Sequence, residues 1–173
     1  MKLTLVTLLF VSSGVWAATS QTSTGTYATG RVANTVLGVG PALHINGDVK
    51  GKALPGMNFT AVTTAAPGVP LYVGVDAGFF FNNDPKFNGV LPVLGTMYYE
   101  FPTGASVRPV LGVCAGPVFG LGDNQDSARF SMLIKPALNI HMAETVGLSI
   151  ESKVGVIGST FVYLPQISAH FTL

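Results

Sequence analysis

The chain has 173 residues, of which 48% are hydrophobic and 10% are charged. In ordinary soluble domains about a quarter of the residues are charged, so this composition is unusual for a protein whose surface faces water. The chain has nine Lys and Arg and eight Asp and Glu, and without Lys2 of the predicted leader the two counts are equal. No net charge then attracts nucleic acid or acidic partners. The single cysteine, Cys114, excludes an internal disulfide and with it the usual reinforcement of small exported domains.

The first 17 residues have the pattern of a cleaved secretory signal. Lys2 precedes an apolar run over residues 3–11, and Val15 and Ala17 occupy the small positions before a cleavage site. The run is shorter than the roughly 20 residues that a membrane-spanning helix needs, although an uncleaved membrane anchor is the alternative. We predict cleavage after Ala17 and one exported domain over residues 18–173.

Apolar and polar residues alternate with period two through the remaining chain, which indicates β-strands. In residues 71–81, Leu71, Val73 and Val75 share one face with later apolar residues, whereas small or polar residues occupy the other face, with Phe80 as the exception. The same pattern predicts eight strands, over residues 31–46, 57–65, 71–81, 91–101, 107–119, 130–141, 146–156 and 161–173.

The connections between these strands are of two kinds. Residues 47–56, 82–89 and 121–127 form longer polar connections, and residues 66–70, 102–105 and 143–145 form tighter ones. Only the last connection, residues 158–160, is shorter than this alternation predicts. Long and short connections that alternate around an even number of antiparallel strands are typical of outer-membrane barrels.

Six prolines lie inside the predicted strands: Pro41, Pro92, Pro109, Pro117, Pro136 and Pro165. Each of them removes a hydrogen-bond donor from a sheet ladder. Those near strand ends are tolerable, and at Pro136 and Pro165 we expect β-bulges.

The position of the charges distinguishes a membrane barrel from a soluble β-sandwich, because both show period two. The strand charges occupy the face opposite the aliphatic residues, and the rest of that face consists of Gly, Ser, Ala and Thr; these charges are Asp76, Glu100, Arg108, Arg129, Lys135, Glu151 and Lys153. The interior of an eight-stranded barrel is just wide enough for side chains to fill it. We therefore predict that the charges lie in the lumen and that the aliphatic face meets lipid.

Aromatic residues gather at both ends of this aliphatic face. The first group is Phe79, Phe81, Phe119, Phe130, Phe161 and Tyr163, and the second is Tyr99, Phe101 and Phe171. Two aromatic girdles that flank an aliphatic band match a membrane barrel.

Two short turns predict specific ion pairs in the lumen. Pairing of Phe101 with Val107 places Glu100 directly opposite Arg108. Pairing of His141 with Thr145 places Lys135 opposite Glu151, with Lys153 one inward step further along. We expect these pairs, together with Asp76, to fill the lumen.

The leader, the eight strands and a last strand that ends Phe171-Thr-Leu173 resemble the small eight-stranded outer-membrane barrels of the OmpA and OmpX kind. The resemblance implies an all-β, antiparallel up-and-down transmembrane β-barrel in the outer membrane of a Gram-negative-type bacterium. Its expected partners are membrane lipid and the barrel-assembly machinery, which reads the last strand. That strand usually ends in an aromatic residue, whereas Leu173 is terminal here.

No residues form a recognisable catalytic, cofactor or metal site. His44, His141 and His170 are scattered along the chain, and the pattern of lipid A deacylases, with His and Ser two apart and then Asn, is absent. Cys114 is interpreted as a lumen filler. The sequence therefore favours a non-enzymatic structural or surface-interaction barrel with a plugged lumen and an unknown extracellular partner. A narrow porin-like pore or carrier of a small apolar ligand, a lipid-modifying enzyme and a soluble secreted β-protein stay open.

Overall fold

A computed structural model describes residues 35–46, 53–66, 68–84, 87–121 and 128–173, with the side chains of residues 82–84, 87 and 88 left aside. The described chain forms eight strands: β1 (Thr35–Asn46), β2 (Ala53–Thr64), β3 (Leu71–Asp84), β4 (Phe87–Glu100), β5 (Val107–Leu121), β6 (Arg129–His141), β7 (Val146–Ile157) and β8 (Thr160–Thr172). Each strand pairs antiparallel with its neighbours in sequence, and β1 pairs with β8 to close the barrel. The predicted all-β, eight-stranded antiparallel fold is confirmed.

Two parts of the sequence interpretation fall outside this description. The signal peptide with its cleavage after Ala17 lies outside the described residues, as do residues 31–34 of the first predicted strand. Within the part of the chain that is described, no helix has the length and apolar character to cross a membrane.

Period two in the sequence gives the barrel two different faces. In β2, exposed and buried residues alternate from Ala53 to Val62, because successive side chains of a strand point to opposite sides. The aliphatic residues predicted for the outer face include Ile134 and Ile150, and these two side chains point outward as predicted, with 57% and 49% exposure. The nine aromatic residues predicted for the two ends are also exposed on the outer face.

The strand bounds correct the predicted connections. β3 and β4 continue past a register shift between Phe81 and Asp84 until Asp84 pairs with Phe87, so the predicted connection over residues 82–89 shrinks to residues 85–86. β2 begins at Ala53 rather than at residue 57. In the β3–β4 hairpin, polar residues predicted to lie in the connection belong to the ladder instead. The predicted long connection is therefore wrong at this hairpin.

The two ends of the barrel are named by their connections. Residues 47–52, 85–86, 122–128 and 158–159 join strands at the loop end. Residues 65–70, 101–106 and 142–145 join strands at the turn end, where the backbone N–H of Leu173 also donates to the carbonyl of Thr35. The first and last described residues therefore meet at the turn end.

The strand prolines are accommodated without the predicted bulges. Pro136 stays opposite Leu111 of β5, and Pro165 stays opposite Ser152 of β7. On the other side of each strand, the ladder from β6 to β7 skips Pro136, and the ladder from β8 to β1 skips Pro165. Both ladders resume in an unchanged register. In an antiparallel ladder, a hydrogen-bonded residue exchanges its N–H and C=O bonds with one neighbour. A proline therefore interrupts one ladder and leaves the other in place.

Glycine allows close approach of strands at the seam that closes the barrel. A Cβ atom added to Gly40 of β1 would lie against the backbone carbonyl of Ile167 and the Cα atom of Ser168 on β8. The backbone of β8 would have to move away from β1 to make room for it. Gly95 on β4 is different, because the nearest atom to an added Cβ is 3.6 Å away, at the carbonyl oxygen of Ala115.

We therefore predict that Gly40→Ala lowers the free energy of unfolding by about 1–3 kcal/mol, as overpacking does. Gly95→Ala is the matched control, because its added methyl group makes an ordinary contact. Equilibrium unfolding in urea from detergent or lipid measures both variants. Equal stability of the two variants would contradict a tight β1–β8 seam.

Candidate functional site: the lumen of the barrel

A cluster of buried apolar side chains lies in the loop half of the lumen. This apolar plug consists of Ala42, Leu54, Phe80, Val90, Leu94, Cys114, Val118, Leu133, Ile157, Val162 and Leu164. Phe80 is fully buried, and its ring occupies the space above Gly56 and Gly78, where a Cβ would meet it at 2.7 and 2.6 Å. The sequence interpretation of an inward face made of small residues and isolated ions is therefore wrong for this half of the barrel.

Four buried charges form the middle layer of the lumen and are named the charged quartet: Asp76, Lys135, Glu151 and Lys153. The Nζ atom of Lys153 donates to Asp76 Oδ1 at 2.6 Å. The Nζ atom of Lys135 lies 3.4 Å from Asp76 Oδ2 and 2.8 Å from Glu151 Oε2. The second contact is an ion pair without the alignment of a hydrogen bond. Two cations and two anions thus balance within the barrel.

Neutral side chains from β2, β4 and β8 complete the surroundings of the quartet. Thr60 donates to Asp76 Oδ2 at 3.2 Å, and Ser168 donates to Glu151 Oε1 at 3.2 Å. Lys153 donates a second bond to Gln166 Oε1 at 2.9 Å, and the Nζ atom of Lys135 lies 5.2 Å from the centre of the Tyr98 ring. Such polar and cation–π contacts offset part of the cost of taking charge out of water.

A second charged group lies at the turn end around Glu100. Arg108 Nη1 donates to Glu100 Oε1 at 2.8 Å, and Asn139 Nδ2 donates to Oε2 at 2.7 Å. The Nε2 atom of His141 lies 3.3 Å from Oε1. Together with the stacked rings of Tyr72 and Tyr98 and with other residues of this end, Glu100 lines a turn-end cavity of about 60 Å³.

The structure brings the predicted partners together in a different register. Glu100 is opposite Val110 rather than Arg108, and Glu151 is opposite Ala137 rather than Lys135. Both predicted registers are therefore wrong by two residues, because the turns hold more residues than the sequence interpretation assumed. A shift of two keeps every side chain on its face, and diagonal neighbours about 7–8 Å apart are within reach of long side chains.

The fold also joins histidines that are scattered in the sequence. His141 and His170 both line the turn-end cavity. The Nε2 atom of His170 lies 3.2 Å from Ser168 Oγ and 3.7 Å from Glu151 Oε1. Sequence reasoning missed this Ser–His–Glu group because Glu151 comes from the neighbouring strand β7, and only the pairing of β7 with β8 reveals it.

This group has the geometry of lumen packing rather than of a nucleophilic triad. A catalytic histidine uses one ring nitrogen for the nucleophile and the other for the acid, whereas here Nε2 of His170 faces both Ser168 and Glu151. Ser168 is also buried. Among the described side chains, no three His, Cys, Asp or Glu residues converge in a way that could hold a metal ion.

Comparison with known proteins identifies the architecture. No family model matches the chain, and no curated protein sequence matches it. Among solved structures, Neisserial surface protein A has a TM-score of 0.61 at 15% identity and covers 82% of this chain and 98% of its own. The outer membrane protein OprG from Pseudomonas aeruginosa has a TM-score of 0.59 at 10% identity, and the match covers 84% of this chain and 98% of the OprG chain.

Ail, the attachment invasion locus protein of Yersinia pestis, has a TM-score of 0.53 at 10% identity and covers 83% of this chain and all of its own. A second structure of Ail holds the heparin analogue sucrose octasulfate. These proteins are eight-stranded outer-membrane barrels. At this level of identity, the likeness establishes that the chain has the same barrel architecture.

The quartet and the Glu100 group should differ in how strongly their ions are coupled. We predict a coupling free energy of about 3 kcal/mol between Lys135 and Glu151, because both side chains are buried. Coupling between Glu100 and Arg108 should be about 1 kcal/mol, because the Arg108 side chain is 19% exposed and Glu100 keeps other donors. Double-mutant cycles with alanine, followed by reversible unfolding, measure both values. Equal coupling in the two pairs would contradict the layered lumen.

Proposed function

We propose that this chain is a small integral outer-membrane β-barrel with a side-chain-plugged lumen and a structural or surface-interaction role. The observation that carries the proposal is the combination of an apolar outer face with a lumen that holds a layer of buried apolar side chains and a layer of buried ion pairs. The proposal includes export through residues 1–17 and insertion by barrel-assembly machinery that reads β8.

The outer face fits hydrocarbon better than water. Large apolar side chains are exposed on all eight strands, including Leu37, Phe59, Val75, Met97, Val113, Ile134, Ile150 and Ile167. Soluble monomers rarely expose apolar patches larger than a few hundred Å². The ions of the charged quartet and Glu100 point inward instead. This arrangement supports an apolar band in lipid with aromatic residues at both of its borders.

The filled lumen supports an interaction role over conduction. The apolar plug and the charged quartet occupy successive layers, and the turn-end cavity of about 60 Å³ is the size of a few water molecules rather than of a channel. Structural and binding roles remain for such a barrel, with the loop end as the surface that meets an extracellular partner. The Ail complex with sucrose octasulfate is an example of a ligand on a barrel of this architecture.

Membrane insertion predicts a depth-dependent cost for charge on the outer face. Ile150→Arg should lower the free energy of unfolding by about 2–4 kcal/mol in lipid, as arginine does near a bilayer midplane. Met142→Arg is the control, because Met142 is 58% exposed but lies in a turn outside the strands. Reversible folding into liposomes measures both variants. A cost near zero for Ile150→Arg would count against a lipid-facing surface.

The plugged lumen predicts that the protein does not conduct ions steadily. Purified protein in planar bilayers should show no stable single-channel steps, and Glu100→Ala and Arg108→Ala should behave alike because the plug and the quartet stay in place. Heat-modifiable migration on a gel establishes that the inserted protein is folded, and a large porin serves as the positive control. Steady conductance of the wild type would favour the narrow pore instead.

A further inference from the structure

His44 is a buried titratable residue. Its side chain points into the lumen from β1 and is 2% exposed, and neither ring nitrogen has a hydrogen-bond partner among the residues that the structure describes. The ring packs against Phe80 of the apolar plug, with ring centres 5.5 Å apart and planes at 56°. A neutral imidazole fits this environment at the cost of its missing hydrogen bonds. A protonated ring costs far more there unless a counter-charge accompanies it.

The described residues of the strands beside His44 offer no counter-charge. Leu54 of β2 is directly opposite His44. The other inward side chains of β1 and β2 carry no titratable group; they are Val36, Gly38, Gly40, Ala42, Gly56, Asn58, Thr60 and Val62. On β8, the inward residues of the loop half are Thr160, Val162 and Leu164, and the titratable His170 lies near the turn end.

The next strands present a cation and an occupied carboxylate. Lys153 of β7 is directly opposite Leu164 of β8, and β8 pairs in turn with β1, which carries His44. The nearest charge on this side is therefore positive. Among the described inward side chains of β3, Tyr72 and Asp76 are the titratable ones, and Asp76 already binds two lysines of the quartet. Glu151, the carboxylate of β7, is paired with Lys135 of the quartet. No described carboxylate on these strands is therefore left to accompany a charge on His44.

We propose that His44 is an acid-sensitive latch of the apolar plug. With a neutral ring, His44 packs against Phe80 and the loop half of the lumen is closed. When the ring takes up a proton from water, it leaves the apolar layer for the rim of the loop end, and water enters the upper lumen. The latch rests on the proposed plugged lumen and adds a condition under which the plug opens.

Linkage gives the direction and size of the effect. The open form binds one proton more than the closed form, so a fall in pH shifts the equilibrium toward the open form. A water-exposed imidazole has a pKa of about 6.5. If the closed plug excludes the proton, the open-to-closed ratio rises about 10-fold at pH 5.5 and about 100-fold at pH 4.5, relative to neutral pH.

Cys114 is a built-in reporter of this opening. It is the only cysteine of the chain, belongs to the apolar plug and is 1% exposed. The full-length protein folded in liposomes is treated with a water-soluble pyridyl disulfide at pH 7.5, 5.5 and 4.5, and the rate of Cys114 modification is recorded. The ratio of the wild-type rate to that of His44→Phe cancels the pH dependence of the reagent. Phenylalanine keeps an aromatic ring against Phe80 but takes up no proton.

We expect the ratio to be near 1 at pH 7.5 and to rise about 10-fold and 100-fold at the two lower pH values. His141→Gln, at the turn end, should keep the wild-type response. A second replacement, His44→Gln, serves if His44→Phe does not fold, and it should also lose the response. A ratio that stays constant with pH overturns the latch and leaves the plug standing. Rapid modification of the wild type at pH 7.5 contradicts the plug itself, and with it the latch.

Discussion

Closure of the sheet by pairing of β1 with β8 is the constraint on which the rest of the structure depends. In a closed barrel no strand has a free edge, so backbone donors and acceptors find partners within the sheet. Closure also separates the two faces of every strand, since alternate side chains point into the lumen or out of it. Gly40 lies at this seam, where a larger residue would push β8 away from β1.

The charged quartet is a consequence of closure. Asp76 on β3 contacts Lys135 on β6 and Lys153 on β7, and β3 is not a neighbour of β6 or β7 in the sheet. Such contacts form only when the strands face one another across the lumen. Buried ions are costly to desolvate and are therefore weak evidence for stability. Two positive and two negative side chains in one layer keep the net charge of the lumen small.

The lumen has an apolar layer in its loop half and polar layers in its middle and at its turn end. Phe80 and the aliphatic residues around it line the loop half, while the quartet and the Glu100 group line the rest. His44 lies in the apolar half, and its ring nitrogens have no hydrogen-bond partner among the described residues. The outer face is apolar throughout, because every strand presents apolar side chains to the surroundings. Both the inward and the outward residues of each strand therefore contribute to the barrel structure.

Much of this architecture follows from the sequence alone, because period two is a local property. It predicts the eight strands, the outward direction of Ile134 and Ile150, and the inward direction of the charged quartet and Glu100. Arg129, also predicted to lie in the lumen, is exposed. Local pattern did not give register: Glu100 and Arg108 meet as diagonal neighbours because turn geometry, which sequence reveals poorly, sets the pairing. It also missed the apolar plug, since Leu94 and Leu133 lie in runs that are apolar on both faces. Contacts across the lumen, such as Asp76 with Lys153, were decided only by the tertiary structure, because closure of the barrel brings distant strands within reach of one another.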